Sequence, residues 1–243
     1  MARMNAPRLA RRMGILPQSD IRRMTLECER VGGINLGQGI CDLPTIPELK
    51  AGLSEAVEAN RATYSRYDGV GDLRKAIAAR QSRKNGVSYD PETEIVVSVG
   101  STGAFAMTMM ALLDQGDEVI LPEPFYGDHW NTIVAAGGVP KPVALRDPDF
   151  AVDLDAIAAA VTPQTRAVVC CTPANPSGKV WTENELDGLI RLLHERDILA
   201  VTDEIYEDIL YDGRKHVSLA SRPGGRERAV TVSGFSKTFS ITG

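Results

Sequence analysis

Short apolar runs alternate with helix-like stretches along the second half of the chain, from Glu94 onwards. Each run has the length of a β-strand and is apolar on both faces, a pattern typical of fully buried strands. The predicted strands are residues 95–99, 118–121, 167–172, 198–202 and 229–232. The predicted helices are residues 103–113, 127–136, 154–160 and 183–196.

The first part of the chain contains only helical patterns, over residues 19–33, 47–60 and 70–85. We predict Ser19 as the N-cap of the first helix and Gly32-Gly33 as its stop signal. A loop rich in Gly and Pro follows over residues 34–44. It does not form a dinucleotide-binding fingerprint, because Asp42 stands where the third glycine is needed.

Buried strands that alternate with helices predict an α/β fold, with a mostly parallel sheet and helices on both of its faces. In such sheets, ligands bind beyond the carboxyl ends of the strands. The residues that directly follow each predicted strand are therefore the candidates for function.

The composition is that of an ordinary globular protein, with 43% hydrophobic residues, 24% charged residues and a net charge of −5. The acidic balance argues against nucleic-acid binding. No apolar run approaches the roughly 20 residues of a membrane span, so we expect no membrane partner. The 4 cysteines lack ligand spacing, which favours reduced thiols and a cytoplasmic location. Neither a G-x-S-x-G motif nor a spaced histidine pair is present, which disfavours serine-hydrolase and metal chemistry.

Small and aromatic residues follow the first two predicted strands. Ser101, Thr102 and Gly103 precede a helix, where free backbone N–H groups can bind a phosphate, although a plain N-cap explains them equally well. Tyr126 follows a pair of prolines and can stack on a planar ring or lie at the edge of the core.

Polar side chains with distinct chemistry follow the last three predicted strands. Asn175 offers an amide donor, Asp203 a partly buried carboxylate with Tyr206 close by, and Lys237 an amine nucleophile. Each residue also has a structural explanation on its own: Asn175 a turn, Asp203 an ion pair and Lys237 a surface cation. Together with the phosphate and ring positions they match the groups of pyridoxal 5'-phosphate (PLP), which acts through a lysine Schiff base.

With these residues, the sequence resembles the fold-type I PLP enzymes, specifically the class I/II aminotransferases of the aspartate aminotransferase superfamily. The matching stretches occur in the family's order, at residues 34–39, 64–69, 100–104, 122–126, 175–179, 203–207 and 233–243. The resemblance implies amino-group transfer between an L-amino acid and a 2-oxo acid.

The resemblance also implies a role for each motif residue. Lys237 would form the aldimine with PLP and shuttle a proton, while Asp203 would keep the pyridine nitrogen protonated. Asn175 and Tyr206 would donate hydrogen bonds to the phenolic oxygen of PLP. Tyr126 would stack on the ring.

The phosphate and the substrate have implied partners as well. Ser101, Thr102 and Gly103 would bind the phosphate, and Tyr64 would reach it from a neighbouring subunit, which implies a homodimer. Gly234 occupies a position that is often a phosphate-binding serine in the family, so Ser233 or Ser236, or neither, would take that role. Gly39 and Asn175 would contact the substrate carboxylate.

The same resemblance divides the chain into an N-terminal arm with part of a small domain, residues 1–46, and an incomplete PLP-binding large domain, residues 47–243. The arginines that bind the phosphate and the substrate carboxylate in the family are expected beyond Gly243, so we expect little activity from these 243 residues alone. Alternatives are another PLP reaction on the same fold, such as that of a C–S lyase or an ACC-synthase-like enzyme, and a non-enzymatic PLP-sensing regulator.

Overall fold

The fold is organised around a five-stranded sheet with the strand order β2-β1-β3-β4-β5. The strands are β1 Glu118–Glu123, β2 Val139–Ala144, β3 Thr165–Cys171, β4 Leu199–Asp203 and β5 Ala229–Val232. All neighbouring strands pair in parallel. Because the strands are parallel, their carboxyl ends all lie at one edge of the sheet. The computed structural model describes residues 8–16, 20–39, 41, 43–61 and 63–242.

Seven α-helices accompany the sheet in the described residues: α1 Asp20–Arg30, α2 Pro47–Glu58, α3 Gly71–Asn85, α4 Gly100–Leu112, α5 Gly127–Ala135, α6 Leu154–Ala160 and α7 Glu183–Arg196. Capping residues in the local sequence explain where several helices begin or end. A reciprocal capping box between Thr182 and Glu185 begins α7. Gly86 ends α3 in the left-handed conformation, with φ of 68°. The predicted N-cap Ser19 lies outside the described residues.

Two apolar cores cover opposite faces of the sheet, because alternate strand residues point to opposite sides. One core packs α6 and α7 against Ile120, Val168 and Ala200. The other packs α4 and α5 against Val119, Val169 and Val201. The predicted parallel α/β architecture with helices on both faces is therefore confirmed.

One strand prediction is wrong, and one strand was not predicted. Residues 95–99 form no strand; the backbone N–H of Val97 donates a hydrogen bond to the carbonyl oxygen of the loop residue Asp68 at 3.0 Å instead. A strand needs a hydrogen-bonded neighbour, and no described strand pairs with this segment. Conversely, Val139–Ala144 forms β2 although it contains Pro140 and Pro142, because β2 is an edge strand.

No helix among the described residues is long and apolar enough to cross a membrane. The side chains of the neighbouring Cys170 and Cys171 diverge: Cys170 is fully buried in the core beneath α7, whereas Cys171 lines a cavity at the carboxyl edge of the sheet. That cavity contains most of the candidate functional residues.

Candidate active site

A cavity of about 1310 Å³ opens at the carboxyl edge of the sheet. Its walls come from segments that follow β1, β3, β4 and β5, from the start of α4 and from the N-terminal segment. Nine of the residues singled out from the sequence line it: Gly39, Ser101, Thr102, Tyr126, Asn175, Asp203, Tyr206, Ser236 and Lys237. Residues far apart in sequence therefore meet because parallel strands all end at this edge.

Asp203 is the last residue of β4 and is only 7% exposed. One carboxylate oxygen, Oδ2, lies 3.0 Å from His129 Nε2. The other, Oδ1, accepts a hydrogen bond from the backbone N–H of Ile205 at 3.1 Å. These contacts fix the carboxylate in a largely dry environment. An ion pair was one explanation that the sequence offered for this acid, and the side chain that contacts it is His129.

His129 was missed as a site residue because it forms no motif with the other histidines. Its position offered a signal, since it lies in the first turn of α5, directly after the carboxyl end of β1. The imidazole ring packs against Phe105 with a centroid distance of 4.4 Å and meets the Tyr126 ring edge-on. His129 thus contacts Asp203 without itself lining the cavity.

Tyr206 and Lys237 lie next to each other in the cavity. The Lys237 Nζ is 5.7 Å from the centroid of the Tyr206 ring. Burial and the nearby Cys171 and Asp203 raise the pKa of Tyr206, although a hydrogen bond with Asn175 acts in the opposite direction. The phenol is therefore protonated at neutral pH and can donate a hydrogen bond, and Asn175 lies within reach of the same position.

The start of α4 brings small hydroxyl residues to the cavity. The helix begins at Gly100, earlier than predicted, so Ser101 and Thr102 lie within its first turn, where backbone N–H groups are free to bind an anion. Gly234 passes close to this turn: a Cβ added there would lie 2.9 Å from Ile205 Cδ1 and 3.8 Å from the Ser101 nitrogen. A serine in place of Gly234 would therefore require local movement.

The two serines near Lys237 differ in position. Ser236 lines the cavity, whereas Ser233 borders a separate pocket and its hydroxyl lies 3.4 Å from Glu207. Of these two serines, Ser236 is the one positioned to reach a ligand in the cavity.

Tyr126 lines the cavity, and its hydroxyl donates a hydrogen bond to Asp128 at 2.8 Å. Burial, followed by this hydrogen bond, raises the pKa of Tyr126. Gly103 and Tyr64 are not among the lining residues, and Tyr64 is completely exposed. The sequence did not single out Arg22 or Phe150, which also line the cavity.

Residues 31–243 match the sequence model of the family described as aminotransferase class I and II. The chain belongs to this family. It is 39% identical over 223 residues to the probable N-succinyldiaminopimelate aminotransferase DapC of Mycobacterium tuberculosis, covering 90% of this chain and 56% of that protein. It is 35% identical over 237 residues to aromatic-amino-acid aminotransferase 2 of Thermococcus litoralis, covering 97% of this chain and 61% of that protein.

Solved structures of aminotransferases share the fold. The N-succinyldiaminopimelate aminotransferase of Mycobacterium tuberculosis superposes with a TM-score of 0.91 at 35% identity, over 96% of this chain and 61% of that one. The aromatic aminotransferase of Pyrococcus horikoshii gives a TM-score of 0.86 at 34% identity, over 95% of this chain and 59% of that one. The chain therefore spans about three fifths of the length of the aminotransferases it matches.

Class I and II aminotransferases depend on PLP, and the residues of the cavity fit this cofactor. Lys237 offers an amine for its aldehyde carbon and Asp203 a carboxylate for its pyridine nitrogen. Tyr206 and Asn175 offer donors for its phenolic oxygen, and the first turn of α4 offers N–H groups for its phosphate. Each polar group of the cofactor thus has a protein group of complementary chemistry at this edge of the sheet.

Proposed function

We propose that this chain forms the PLP-binding part of an aminotransferase that moves an amino group between an L-amino acid and a 2-oxo acid. The observation that carries the proposal is that Lys237, Asp203, Tyr206 and Asn175 line one cavity. Within this proposal, residues 47–243 form the large domain, and residues 1–46 form the N-terminal arm together with a segment of the small domain.

When bound, PLP supplies an electron-withdrawing ring that stabilises negative charge at the Cα of the amino acid. Asp203 holds a proton on the pyridine nitrogen, and its carboxylate is kept in place by His129 and the Ile205 N–H. A positively charged ring nitrogen next to a buried carboxylate is the electrostatic arrangement that favours this charge.

Lys237 transfers the proton. Its amine would take the proton from the substrate Cα and would deliver it to the carbon of the cofactor to which the amine itself is attached in the resting protein. The amine lies beside the Tyr206 ring, 5.7 Å from its centroid. Tyr206, whose raised pKa keeps it protonated, donates a hydrogen bond to the phenolic oxygen together with Asn175.

Binding and orientation fall to the remaining residues. Ser101, Thr102 and Gly103 would hold the phosphate at the start of α4 together with Ser236, and Tyr126 would stack on the ring. Gly39 and Asn175 contact the substrate carboxylate. These contacts place the reacting Cα next to the Lys237 amine, which converts the proton transfer into an intramolecular step.

A homodimer with Tyr64 at the phosphate of the neighbouring subunit is part of the proposal, as is a cytoplasmic location. Complete exposure of the Tyr64 side chain is compatible with a role towards a second subunit. Analytical ultracentrifugation at micromolar concentration tests this part: a dimer is expected, and a monomer with normal cofactor binding would contradict it.

The reaction is tested with protein expressed from its whole reading frame, loaded with PLP and given a panel of amino acids with a 2-oxo acid acceptor. We expect a new amino acid that corresponds to the acceptor, and a 2-oxo acid from the donor. Aspartate, aromatic, methionine-like and branched donors cover the side-chain classes to be compared. Release of ammonia without a new amino acid would instead indicate an elimination reaction on the same fold.

A further inference from the structure

A network of charged residues outside the cavity joins helix α3 to the two turns that carry Tyr206 and Lys237. Its members on α3 are Arg80, Lys84 and Asn85. Its members on the turn after β4 are Glu207 and Asp208, which directly follow Tyr206 in sequence. None of these residues lines the cavity described above.

Glu207 is the buried centre of this network, at 1% exposure. Its Oε1 lies 2.5 Å from Arg80 Nη1, and its Oε2 accepts a hydrogen bond from Asn85 Nδ2 at 3.1 Å. Lys84 Nζ lies 3.8 Å from Oε2. Burial raises the pKa of Glu207, but the hydrogen bonds from Asn85 and Arg80 outweigh burial and lower it. The carboxylate is therefore charged and held rigidly.

Glu207 also lies close to Glu204 and His216, and ligand atoms of these three residues lie within 4.8 Å of one another. Such a group can suggest a metal site. Here, however, Glu207 already contacts the cations of Arg80 and Lys84, and Glu204 accepts hydrogen bonds from Ser218 at 2.9 Å and contacts His216 at 3.0 Å. Protein groups therefore already bind the oxygens of these carboxylates, which hold the turn after β4 in place.

Asp208 extends the network to the lysine-bearing turn. One of its oxygens, Oδ2, lies 2.6 Å from Arg80 Nη2 and accepts a hydrogen bond from Thr238 Oγ1 at 2.7 Å. Thr238 directly follows Lys237 in sequence. The other oxygen, Oδ1, contacts Lys84. Asp208 thus connects α3 to the residue next to Lys237.

A second contact joins the network to the segment that carries Lys237. Ser233, at the carboxyl end of β5, lies with its hydroxyl 3.4 Å from Glu207 Oε1. The segment with Lys237 is therefore held on both sides, at Ser233 and at Thr238, by the two acidic residues that follow Tyr206. Arg80 joins these two acids, because its planar guanidinium contacts Glu207 through one nitrogen and Asp208 through another.

From this connectivity we propose that Arg80 is a positioning residue, which acts through Glu207, Asp208 and Thr238 to fix the Lys237 amine relative to the Tyr206 phenol. The inference rests on the proposed PLP-dependent function. Proton transfer by Lys237 depends on its distance from the reacting carbon, and a displacement of 1 Å costs on the order of 100-fold in rate. The other charged and titratable groups that line the cavity with this pair are Arg22, Tyr126, Asp128, Asp149, Cys171, Lys179, Asp203, Tyr211, Asp212 and Arg214, and none of them belongs to the network.

The test compares Arg80→Gln, Arg80→Lys and Thr238→Val with wild type, with Arg83→Gln as the matched control. Arg83 lies on the same helix, is exposed and makes none of the network contacts among the described residues. Lysine keeps the charge of Arg80 but cannot contact both acids with a rigid fork, so it should restore function only in part. Thr238→Val removes a single hydrogen bond and preserves the shape of the side chain.

The first measurement is hydrogen–deuterium exchange of the peptide that spans Ser233 to Ile241 in cofactor-free protein. We expect exchange there to rise roughly 10-fold in Arg80→Gln and to rise less in Thr238→Val, with wild-type rates in Arg83→Gln. The second is the pH dependence of the visible spectrum of the PLP-loaded protein, whose midpoint should shift in Arg80→Gln and return towards wild type in Arg80→Lys. The third is kcat, expected to fall about 10-fold with little change in KM.

Each outcome has a distinct meaning. Failure of the wild type to take up PLP would refute the proposed function, whereas the exchange measurement needs no cofactor. Wild-type exchange of this peptide in both Arg80→Gln and Thr238→Val would overturn the inference. A fall in thermal stability with an unchanged spectral midpoint and an unchanged kcat would also overturn it, because Arg80 would then be structural alone.

Discussion

His129→Phe isolates the contact that holds the Asp203 carboxylate. Phenylalanine preserves a ring of similar size, so the packing against Phe105, now at 4.4 Å between centroids, is retained. What is lost is the contact between Nε2 and Asp203 Oδ2 at 3.0 Å. Within the described part of the chain, the buried Asp203 carboxylate then keeps only the hydrogen bond from the Ile205 N–H.

The expected cost follows from the burial of both partners, His129 at 3% and Asp203 at 7% exposure. A hydrogen bond to a charged group contributes about 1.5–3 kcal/mol net. Phenylalanine also removes Nδ1 of His129, a buried atom without a hydrogen-bond partner among the described residues, which offsets part of the loss. We therefore expect the free energy of unfolding to fall by about 2 kcal/mol, equivalent to roughly 4 °C in Tm for a chain of this size.

The assay is urea unfolding of cofactor-free protein, followed by titration with PLP. His129→Gln is the matched control, because its amide can donate to Asp203 again and should recover part of the stability. PLP should bind more weakly to His129→Phe, since the carboxylate for the pyridine nitrogen is less well oriented. Unfolding of His129→Phe within about 0.5 kcal/mol of wild type, with equal PLP affinity, would refute this role of His129.

Three further predictions concern the site, its support and the core. Asp203→Asn should still bind PLP but turn over on the order of 100-fold more slowly in the transamination assay, and an unchanged rate would contradict its role at the pyridine nitrogen. Glu207→Gln should be less stable than wild type in urea at pH 7. Because the pKa of Glu207 is lowered from 4.5 in the folded protein, this difference should shrink as the pH falls below about 4.5, and a difference independent of pH would contradict it. Leu189→Ala, at a fully buried position of α7, should lower the free energy of unfolding by about 2–5 kcal/mol, as measured by the same urea titration.

The sequence predicts the elements with strong periodicity or clear end signals. The helix over residues 183–196 is found at those bounds, since Thr182 and Glu185 form the capping box and Leu186, Leu189 and Leu193 face the core. The strands near residues 118, 167, 198 and 229 are also found, within a few residues of their predicted bounds. Continuous apolar runs between helices can form little other than buried parallel strands.

The wrong strand prediction and the strand that was not predicted have a common cause, because strand formation depends on neighbours that the local sequence does not specify. Pro140 and Pro142 argue against a strand, yet β2 lies at the edge of the sheet, where missing N–H donors are tolerated. Residues 95–99 have a strand-like composition, but no described strand pairs with them.

The residues of the candidate site also divide into those that the sequence indicates and those whose contacts depend on packing. Residues that directly follow strands, such as Asn175 and Asp203, could be singled out from the sequence because the topology brings strand ends together. His129 could not, because its contact with Asp203 depends on how α5 packs over the sheet. The contact of Arg80 with Glu207 could not be predicted either, because the two residues are 127 positions apart in the sequence. Contacts made by helix faces are set by tertiary packing, which local patterns do not encode.

The most direct test of the central claim is to find where PLP attaches. The loaded protein is reduced with borohydride, digested and analysed by mass spectrometry, with Lys237→Ala treated in parallel. We predict a phosphopyridoxyl group on Lys237 and no visible cofactor band in Lys237→Ala. Attachment to another lysine, or an unchanged band in Lys237→Ala, would contradict the account.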